Sequence, residues 1–259
     1  MTPAVDVAPA SQPLREAATI LLLRPTEDAE QPGVEVLTLT RSDRLVFSAG
    51  ATAFPGGRVE ESDASLQHAA VRETFEETGL LLAVRENGTP ASEEIEGLPE
   101  GIQAQIEGDA ALFTPFLTQW GLSPDVSRMH AISRWITPEG EPRRYDTHFF
   151  VAAVPSGQEI RELSGESVSW QWLSPQQALN EFRAGRCFLM PPTWSQLRLL
   201  SQATTVNEAL QLPSQDQPVT PRVEPGPTRH VVDFPDHEAY AADLEQFHAS
   251  RPRPSIADW

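Results

Sequence analysis

Three glutamates fall within five positions of one segment and restrict what that segment can form. Glu73, Glu76 and Glu77 lie in the run Arg72-Glu73-Thr74-Phe75-Glu76-Glu77-Thr78-Gly79. On a helix, spacings of three and four residues place side chains on one face. Like charges on such a face repel by about 0.2–0.5 kcal/mol per pair. A divalent cation would turn this repulsion into binding, and ligands that are all oxygen suit Mg²⁺ or Mn²⁺.

The alternative for these glutamates is a solvated helix face on which Arg72 is a salt-bridge partner, because runs of charge are common on helices. The residues in front of the helix favour the metal site instead. Phe54-Pro55-Gly56-Gly57 forms a turn signal, and glycine permits backbone positions that other residues cannot adopt. A glycine turn followed by a helix with three clustered glutamates therefore predicts a functional site.

Composition limits the classes of function. The 259 residues carry a formal net charge of −18, which argues against broad contacts with the DNA or RNA backbone. A small anionic ligand held through metal ions and a few arginines remains compatible with this charge. A single cysteine, Cys187, excludes an intramolecular disulfide and favours a reducing compartment. The N-terminus lacks a secretory pattern and the apolar runs are too short to span a bilayer, so we expect a cytoplasmic protein without a membrane segment.

The chain divides into three parts by composition. Residues 1–15 are predicted to be flexible, residues 16–203 to form one α/β domain, and residues 204–259, rich in proline, to form an irregular C-terminal extension. Within the domain, residues 90–125 are patterned as short helices and resemble an insertion. Phe113, Phe116, Leu117 and Trp120 of this insertion form either an apolar lid over a ligand or a small core of their own.

Local patterns predict the main elements of the domain. Residues 17–23 and 34–42 are predicted as strands joined in a hairpin, and the pattern of strands returns after Met129. Ser62 or Asp63 is predicted to cap the glutamate helix, which ends near Thr78 with Gly79 at its C-cap. Further helices are predicted from Ser174 to Gly185 and after Pro191-Pro192.

The segment from Gly56 to Leu80 resembles the Nudix box, in which a glycine precedes a glutamate and then Arg-Glu-apolar-x-Glu-Glu-x-Gly-apolar. The helical half matches, except that Thr74 stands at a position that is usually apolar. The front half is one residue longer than the standard box and has Ala64 where a glutamate is expected. Asp63 or Glu61 is a candidate to supply the missing carboxylate.

Further segments are similar to the CoA-cleaving branch of the Nudix superfamily, and most of all to the peroxisomal acyl-CoA diphosphatase type. They are the residues before the box, Thr40 to Val59 with the matching Thr38, the run Arg143-Arg144-Tyr145-Asp146-Thr147-His148-Phe149-Phe150, and Trp170-Gln171-Trp172. The resemblance implies an α/β/α sandwich with a mixed sheet, a helical insertion and the box at one end. It covers roughly residues 17–202 and leaves the C-terminal extension unexplained.

The resemblance also implies roles for individual residues. Glu76 and Glu77 are expected to bind Mg²⁺ or Mn²⁺, and Glu73 to be a further ligand or the base that activates water. A carbonyl group of Gly56 or Gly57 would face the metal, with Gly57 also beside the substrate, and Arg72 would orient a carboxylate of the box. Glu166 is a candidate distal ligand or base, or a surface glutamate.

Three arginines are candidates for binding substrate phosphates. Arg44 is a candidate for a 3′-phosphate or a ribose phosphate, and Arg143 and Arg144 for phosphates near the sheet. In the alternative interpretation of the last two, one arginine points to solvent and the other pairs with Asp146. His148 is predicted to be structural and not a base.

The function expected from this resemblance is metal-dependent hydrolysis of a phosphoanhydride in a small nucleoside diphosphate derivative, with CoA or acyl-CoA as the first hypothesis. ADP-ribose, dinucleotides and nucleoside di- or triphosphates are alternative substrates. A catalytically inactive Nudix-fold nucleotide sensor and an RNA 5′-end hydrolase are alternatives from other classes. The resemblance leaves a homodimer open, and no extended nucleic acid or membrane is expected as a partner.

Overall fold

The structure, a computed structural model, describes residues 13–26, 33–41, 51–91, 97–161, 167–215, 217–224 and 230–250. A mixed sheet of eight strands forms its centre. The strands of this sheet are β1 (Leu14–Pro25), β2 (Val34–Arg41), β3 (Ala51–Ala53), β4 (Gly56–Arg58), β7 (His130–Ile136), β8 (Arg144–Ala153), β9 (Ser167–Leu173) and β10 (Phe188–Leu189). Their order is β10-β3-β2-β1-β8-β7, while β4 pairs with β1 and β9 pairs with β2.

The central strand β1 explains why the sheet is covered on both faces. It runs parallel to β8 and antiparallel to β2 and β4. Its side chains alternate between two cores, with Ile20 and Leu22 in one and Leu21 and Leu23 in the other, and all four are fully buried. The continuous apolar run in the sequence therefore follows from burial on both sides.

Seven α-helices of the described chain cover the two faces. The helices are α1 (Leu66–Thr78), α2 (Ile102–Gly108), α3 (Phe113–Gln119), α4 (Pro175–Arg183), α5 (Pro191–Leu200), α6 (Val206–Leu210) and α7 (His237–Ser250). Helix α1 belongs to the core of Ile20 and Leu22, and helices α4, α5 and α7 belong to the core of Leu21 and Leu23. The expected α/β/α sandwich with a mixed sheet is confirmed.

The helical insertion is present as α2 and α3, with a short 3-10 turn at Ala110–Leu112 between them. Its aromatic residues settle the choice between a lid and a core. Phe113, Phe116 and Leu117 are buried, and the ring of Phe75 on α1 lies 5.6 Å from that of Phe116. These side chains extend the main core, so they form neither an apolar lid nor a separate core of their own.

Two small sheets and the C-terminal extension complete the described chain. Strands β5 (Ala83–Arg85) and β6 (Leu122–Pro124) pair across the insertion, and β11 (Arg222–Glu224) pairs with β12 (His230–Val232). The extension, predicted to be irregular, ends in the regular 14-residue helix α7. None of the helices in the described ranges is long and apolar enough to cross a bilayer.

Three boundaries differ from the predictions. Strand β1 begins at Leu14, so the last two residues of the predicted flexible N-terminus are already paired with β8. The apolar pattern of the run LLLAV, Leu80 to Val84, predicts that a strand begins directly after Gly79, but the strand begins only at Ala83. Helix α1 is capped by Ser65, whose side chain accepts a hydrogen bond from the backbone N–H of His68, and not by Ser62 or Asp63. Gly79 is confirmed as the C-cap, with a left-handed φ of 74°.

Candidate active site

The two glycines of the turn lie directly against the glutamates of α1. The N–H of Gly56 donates a hydrogen bond of 2.9 Å to Oε2 of Glu77. A Cβ atom on Gly57 would lie 2.4 Å from Oε2 of Glu73, so only glycine leaves room for that carboxylate. A Cβ atom on Gly56, which has a φ of 150°, would lie 2.4 Å from the carbonyl oxygen of Ala18. The glycine pair thus allows β4 to lie between β1 and the helix.

Arg72 gathers two of the glutamates. Its guanidinium is 2% exposed, and its Nη1 donates hydrogen bonds of 2.9 Å to Oε1 of Glu73 and to Oε1 of Glu76. Glu76 and Glu77 are themselves buried, with 7% and 6% exposure. The helix face is therefore not solvated, which argues against the alternative of a charged surface helix. The opposite charges raise the pKa of Arg72 above its ordinary value despite its burial, so it stays charged.

Asp63 holds the other side of the Arg72 guanidinium. Its carboxylate accepts bonds from Nε and Nη2 of Arg72, at 3.0 and 2.7 Å, and lies 2.9 Å from Nδ1 of His68. Burial tends to raise the pKa of Asp63, but the hydrogen bonds from His68 and Arg72 outweigh it and hold that pKa at about 2. The carboxylate missing from position 64 thus has a counterpart in Asp63 as the partner of Arg72. Glu61, the other candidate, is exposed at the wall of a cavity.

The site opens into a cavity of about 1450 Å³. Its lining includes Glu73, Glu76, Gly56 and Gly57. This volume exceeds the upper end of the usual range for small-molecule sites, roughly 300–1,000 Å³, and is large enough for an extended ligand.

Glu107 is a residue of this wall that the sequence did not single out. It lies at the end of α2 in the insertion and lines the same cavity as Glu73 and Glu76. Burial raises the pKa of Glu76, Arg72 partly offsets this, and the negative charge of Glu107 raises that pKa further. Glu107 is one of several acidic residues in a polar insertion, and no sequence pattern distinguishes it from the others. Only the packing of α2 on α1 shows that it lies near Glu76.

The donor chemistry of the site fits a divalent cation. The carboxylates of Glu73, Glu76 and Glu77 supply only oxygen, and the raised pKa of Glu76 shows that Arg72 does not fully compensate its burial. Within the described ranges, no three acidic, histidine or cysteine side chains already converge on one point. Arg72 attracts Glu73 and Glu76, whereas Glu77 bonds to Gly56. Cation binding would therefore reorient some of these carboxylates.

The remaining candidate residues lie in different environments. Arg143 is exposed and lines the cavity, while Nε of Arg144 donates to the carbonyl oxygen of Thr137 at 3.2 Å. Neither pairs with Asp146, as one alternative predicted, because Arg134 on the neighbouring strand takes that carboxylate in two hydrogen bonds. Arg44 and Glu166 lie outside the described residues.

His148 lies on β8 beside Asp146, with 3.7 Å between its Nε2 and Oδ1 of the aspartate. Burial lowers the pKa of His148, and the Asp146 charge partly opposes this. The structural role predicted for this histidine stays a prediction.

Comparisons with known proteins agree with this fold. A crystal structure of a NUDIX hydrolase from Alicyclobacillus acidocaldarius is 27% identical, with a TM-score of 0.67, over 78% of this chain and 97% of that one. Acyl-coenzyme A diphosphatase NUDT19 of Xenopus laevis is 24% identical over 71% of this chain and 64% of its own length. The human protein of the same name is 29% identical over 56% of this chain and 41% of its length. The chain thus spans less than two thirds of the length of these two relatives.

The fold is that of a Nudix domain, and the model of the NUDIX domain matches residues 13–100, which include the glutamate helix. The model of the NUDT19 Nudix domain matches residues 66–200, which is more than half of the chain, and the chain belongs to this family. The resemblance inferred from the glutamate helix and the segments around it is therefore confirmed.

Proposed function

We propose that the protein is a metal-dependent Nudix diphosphohydrolase that cleaves a phosphoanhydride in a nucleoside diphosphate derivative, with CoA or acyl-CoA as substrate. One observation carries the proposal. Three glutamates of α1 and the glycine pair lie against one another, so that the carboxylate of Glu73 occupies the space that a Cβ atom on Gly57 would fill. This carboxylate-rich wall faces a cavity large enough for a nucleotide with an extended arm.

In this proposal Glu73, Glu76 and Glu77 hold Mg²⁺ or Mn²⁺. The cation supplies neutralisation of the diphosphate and activation of the attacking water. Arg72 keeps the carboxylates of Glu73 and Glu76 on one side of the helix, and its charge makes their proximity tolerable before a cation binds. Glu73 is the least buried of the three glutamates and lines the cavity, which suits it to accept a proton from water.

The names of the NUDT19 relatives support CoA or acyl-CoA over other nucleoside diphosphate derivatives. The cavity is compatible with this choice, because its volume of about 1450 Å³ exceeds the usual range for small-molecule sites, roughly 300–1,000 Å³. A screen of hydrolysis across CoA, ADP-ribose, NADH and nucleoside triphosphates with Mg²⁺ or Mn²⁺ tests it. If CoA is among the poorest substrates in this screen, the CoA assignment is wrong.

The substitution Glu76→Gln tests the metal role. Glutamine keeps an oxygen that can accept the Arg72 hydrogen bond but removes the negative charge, so we expect the fold to persist. We expect kcat to fall by roughly 10²-fold or more, the size of effect seen when a preorganised catalytic group is removed. Isothermal titration with Mn²⁺ should show weaker cation binding as well.

Glu86→Gln is the matched control, because Glu86 is exposed and lies away from the cavity. Its turnover and its Mn²⁺ affinity should equal those of the original protein. Undiminished metal-dependent turnover in the Glu76→Gln variant would contradict the proposed site.

A further inference from the structure

Two arginines at the cavity stand apart from the others of this chain. Among the arginine side chains in the described ranges, Arg15 and Arg143 alone have no hydrogen bond, ion pair or other electrostatic contact. Every other described guanidinium, from Arg24 to Arg222, contacts a carboxylate, a carbonyl group or another partner. Both exceptions line the cavity of the glutamates. In a chain with a net charge of −18, carboxylates are abundant, so two cations without one are unexpected.

The register of the sheet places the two arginines together. In the parallel pair β1–β8, Arg15 lies opposite Tyr145, and Arg143 precedes Tyr145 by two residues. Side chains two residues apart along an extended strand lie on the same face. Arg15, Ala17 and Thr19 of β1 and Tyr145, Thr147 and Phe149 of β8 all line the cavity, as this alternation requires. Arg143 lies in the bend directly before β8, next to Arg144, which pairs with Leu14 of β1, so Arg15 and Arg143 lie at the same end of the two strands and line the same cavity.

The arginines lie at some distance from the glutamates. Gly57, which contacts Glu73, pairs with Ala18 of β1, and Arg15 is three residues before Ala18. Three residues of strand span about 10 Å. A substrate whose diphosphate lies at the glutamates would therefore need a second anionic group to reach this pair.

The charged residues next to Arg15 and Arg143 interact with other groups and leave both guanidinium groups open to a ligand. Arg58 of β4 is bound to Glu60 in an ion pair, which occupies that guanidinium. Glu16, the neighbour of Arg15, pairs with Asp146 in the β1–β8 register, and its charge acts on Arg134 and His148. Its side chain also lines the cavity, but it forms no ion pair with Arg15 or Arg143 in the described chain.

We propose that Arg15 and Arg143 form a subsite for a phosphate monoester that the substrate carries in addition to its scissile diphosphate. Guanidinium groups bind phosphate oxygens through paired, charge-assisted hydrogen bonds. This inference rests on the proposed function, because it assigns a substrate feature to the same cavity. It predicts that the enzyme distinguishes substrates by a phosphate far from the bond it cleaves.

Kinetics on a matched pair of substrates test the subsite. CoA and 3′-dephospho-CoA differ only by one phosphate monoester, so the ratio of their kcat/KM values isolates its contribution. We expect the original protein to favour CoA, and the ratio to fall roughly tenfold or more in the Arg15→Gln/Arg143→Gln double variant, the effect of losing charge-assisted hydrogen bonds. Arg128→Gln is the control, because Arg128 is exposed and outside the cavity. An unchanged ratio in the double variant would overturn the subsite.

Binding without catalysis separates this inference from the proposed function. Titration calorimetry should show that 3′,5′-ADP binds more tightly than 5′-AMP, and that the double variant loses this difference. If no substrate is hydrolysed but the difference is found, the proposed function fails and the subsite stands. If CoA and 3′-dephospho-CoA are hydrolysed equally well and both nucleotides bind equally, the subsite is wrong and the proposed function stands.

Discussion

Gly56 and Gly57 are neighbours in the sequence, yet the structure gives them different constraints. A Cβ atom on Gly57 would meet only the carboxylate of Glu73, which is the mobile end of a side chain. A Cβ atom on Gly56 would meet the backbone of β1, at a φ of 150° that other residues rarely adopt. The first glycine therefore serves the fold, and the second serves the position of one glutamate.

This contrast gives a prediction at the residue scale. Gly57→Ala should leave the free energy of unfolding within about 1 kcal/mol of the original, because Glu73 can swing away. The displaced carboxylate should lower kcat by roughly 10²-fold, the effect of misplacing a catalytic group by about 1 Å. Gly56→Ala is the comparison, and it should lower the free energy of unfolding by several kcal/mol. Urea unfolding and initial rates measure both, and a Gly57→Ala variant with full activity would contradict this account of Glu73.

Thr74 shows how a departure from the family pattern can be accommodated at a single residue. It is fully buried at a position where the pattern has an apolar residue. Its hydroxyl donates a hydrogen bond of 2.7 Å to the carbonyl oxygen of Ala70 one turn earlier in α1. Because its only polar group is satisfied within the helix, the residue packs as an apolar one does.

At the scale of elements, the loop before α1 is tied to the helix through Asp63. Ser65 caps the helix, which leaves the Asp63 carboxylate for Arg72 and His68. His68 in turn lies 3.0 Å from the hydroxyl of Thr114 on α3. A continuous set of hydrogen bonds thus joins the helical insertion to the guanidinium that gathers Glu73 and Glu76.

The lowered pKa of Asp63 predicts how stability depends on pH. A carboxylate with a pKa of about 2 in the folded state stabilises the fold at pH values above its ordinary pKa near 3.9. That stability is lost as the pH falls through about 2. Between pH 4 and pH 2, the original protein should lose about 2 kcal/mol more unfolding free energy than Asp63→Asn does. Urea unfolding at each pH measures this, and parallel curves for the two proteins would contradict it.

At the scale of the whole molecule, the C-terminal extension is part of the second core. Asp243 on α7 is buried and accepts hydrogen bonds from Nε1 of Trp194 on α5 and from Nε of Arg183 on α4. The hydroxyl of Tyr240 donates to the carbonyl oxygen of Leu189. These bonds hold α5, whose first residues Pro191 to Thr193 line the cavity. The extension thus supports one wall of the candidate site.

We expect Asp243→Ala to lower the free energy of unfolding by about 3 kcal/mol, because it leaves the buried indole N–H of Trp194 and the Arg183 charge without their partner. Glu245→Ala on the same helix is the control, since Glu245 is exposed, and its effect should stay within about 0.5 kcal/mol. Thermal and urea unfolding measure both variants. Equal stability of the two would show that α7 does not stabilise the core.

The sequence by itself determined the α/β class, the positions of the strands predicted at residues 17–23 and 34–42, and the glutamate helix with its Gly79 C-cap. These follow from local periods and local backbone requirements, which a single segment contains in full. The division of the chain into residues 1–15, 16–203 and 204–259 stays a prediction. At the end of the first part, Leu14 and Arg15 are paired with β8.

Only the tertiary structure decided which distant residues meet. The partner of Arg72, the place of Glu107 beside Glu76, and the absence of a partner for Arg15 and Arg143 in the described chain all depend on packing between segments far apart in sequence. The sequence did not predict the C-terminal helix α7 for the same reason. Its buried residues Tyr240, Asp243 and Phe247 pack against α4 and α5, which lie far away in the sequence. The spacing of residues along a sequence indicates the type of a single helix or strand. A functional site, in contrast, is formed by contacts between several helices and strands.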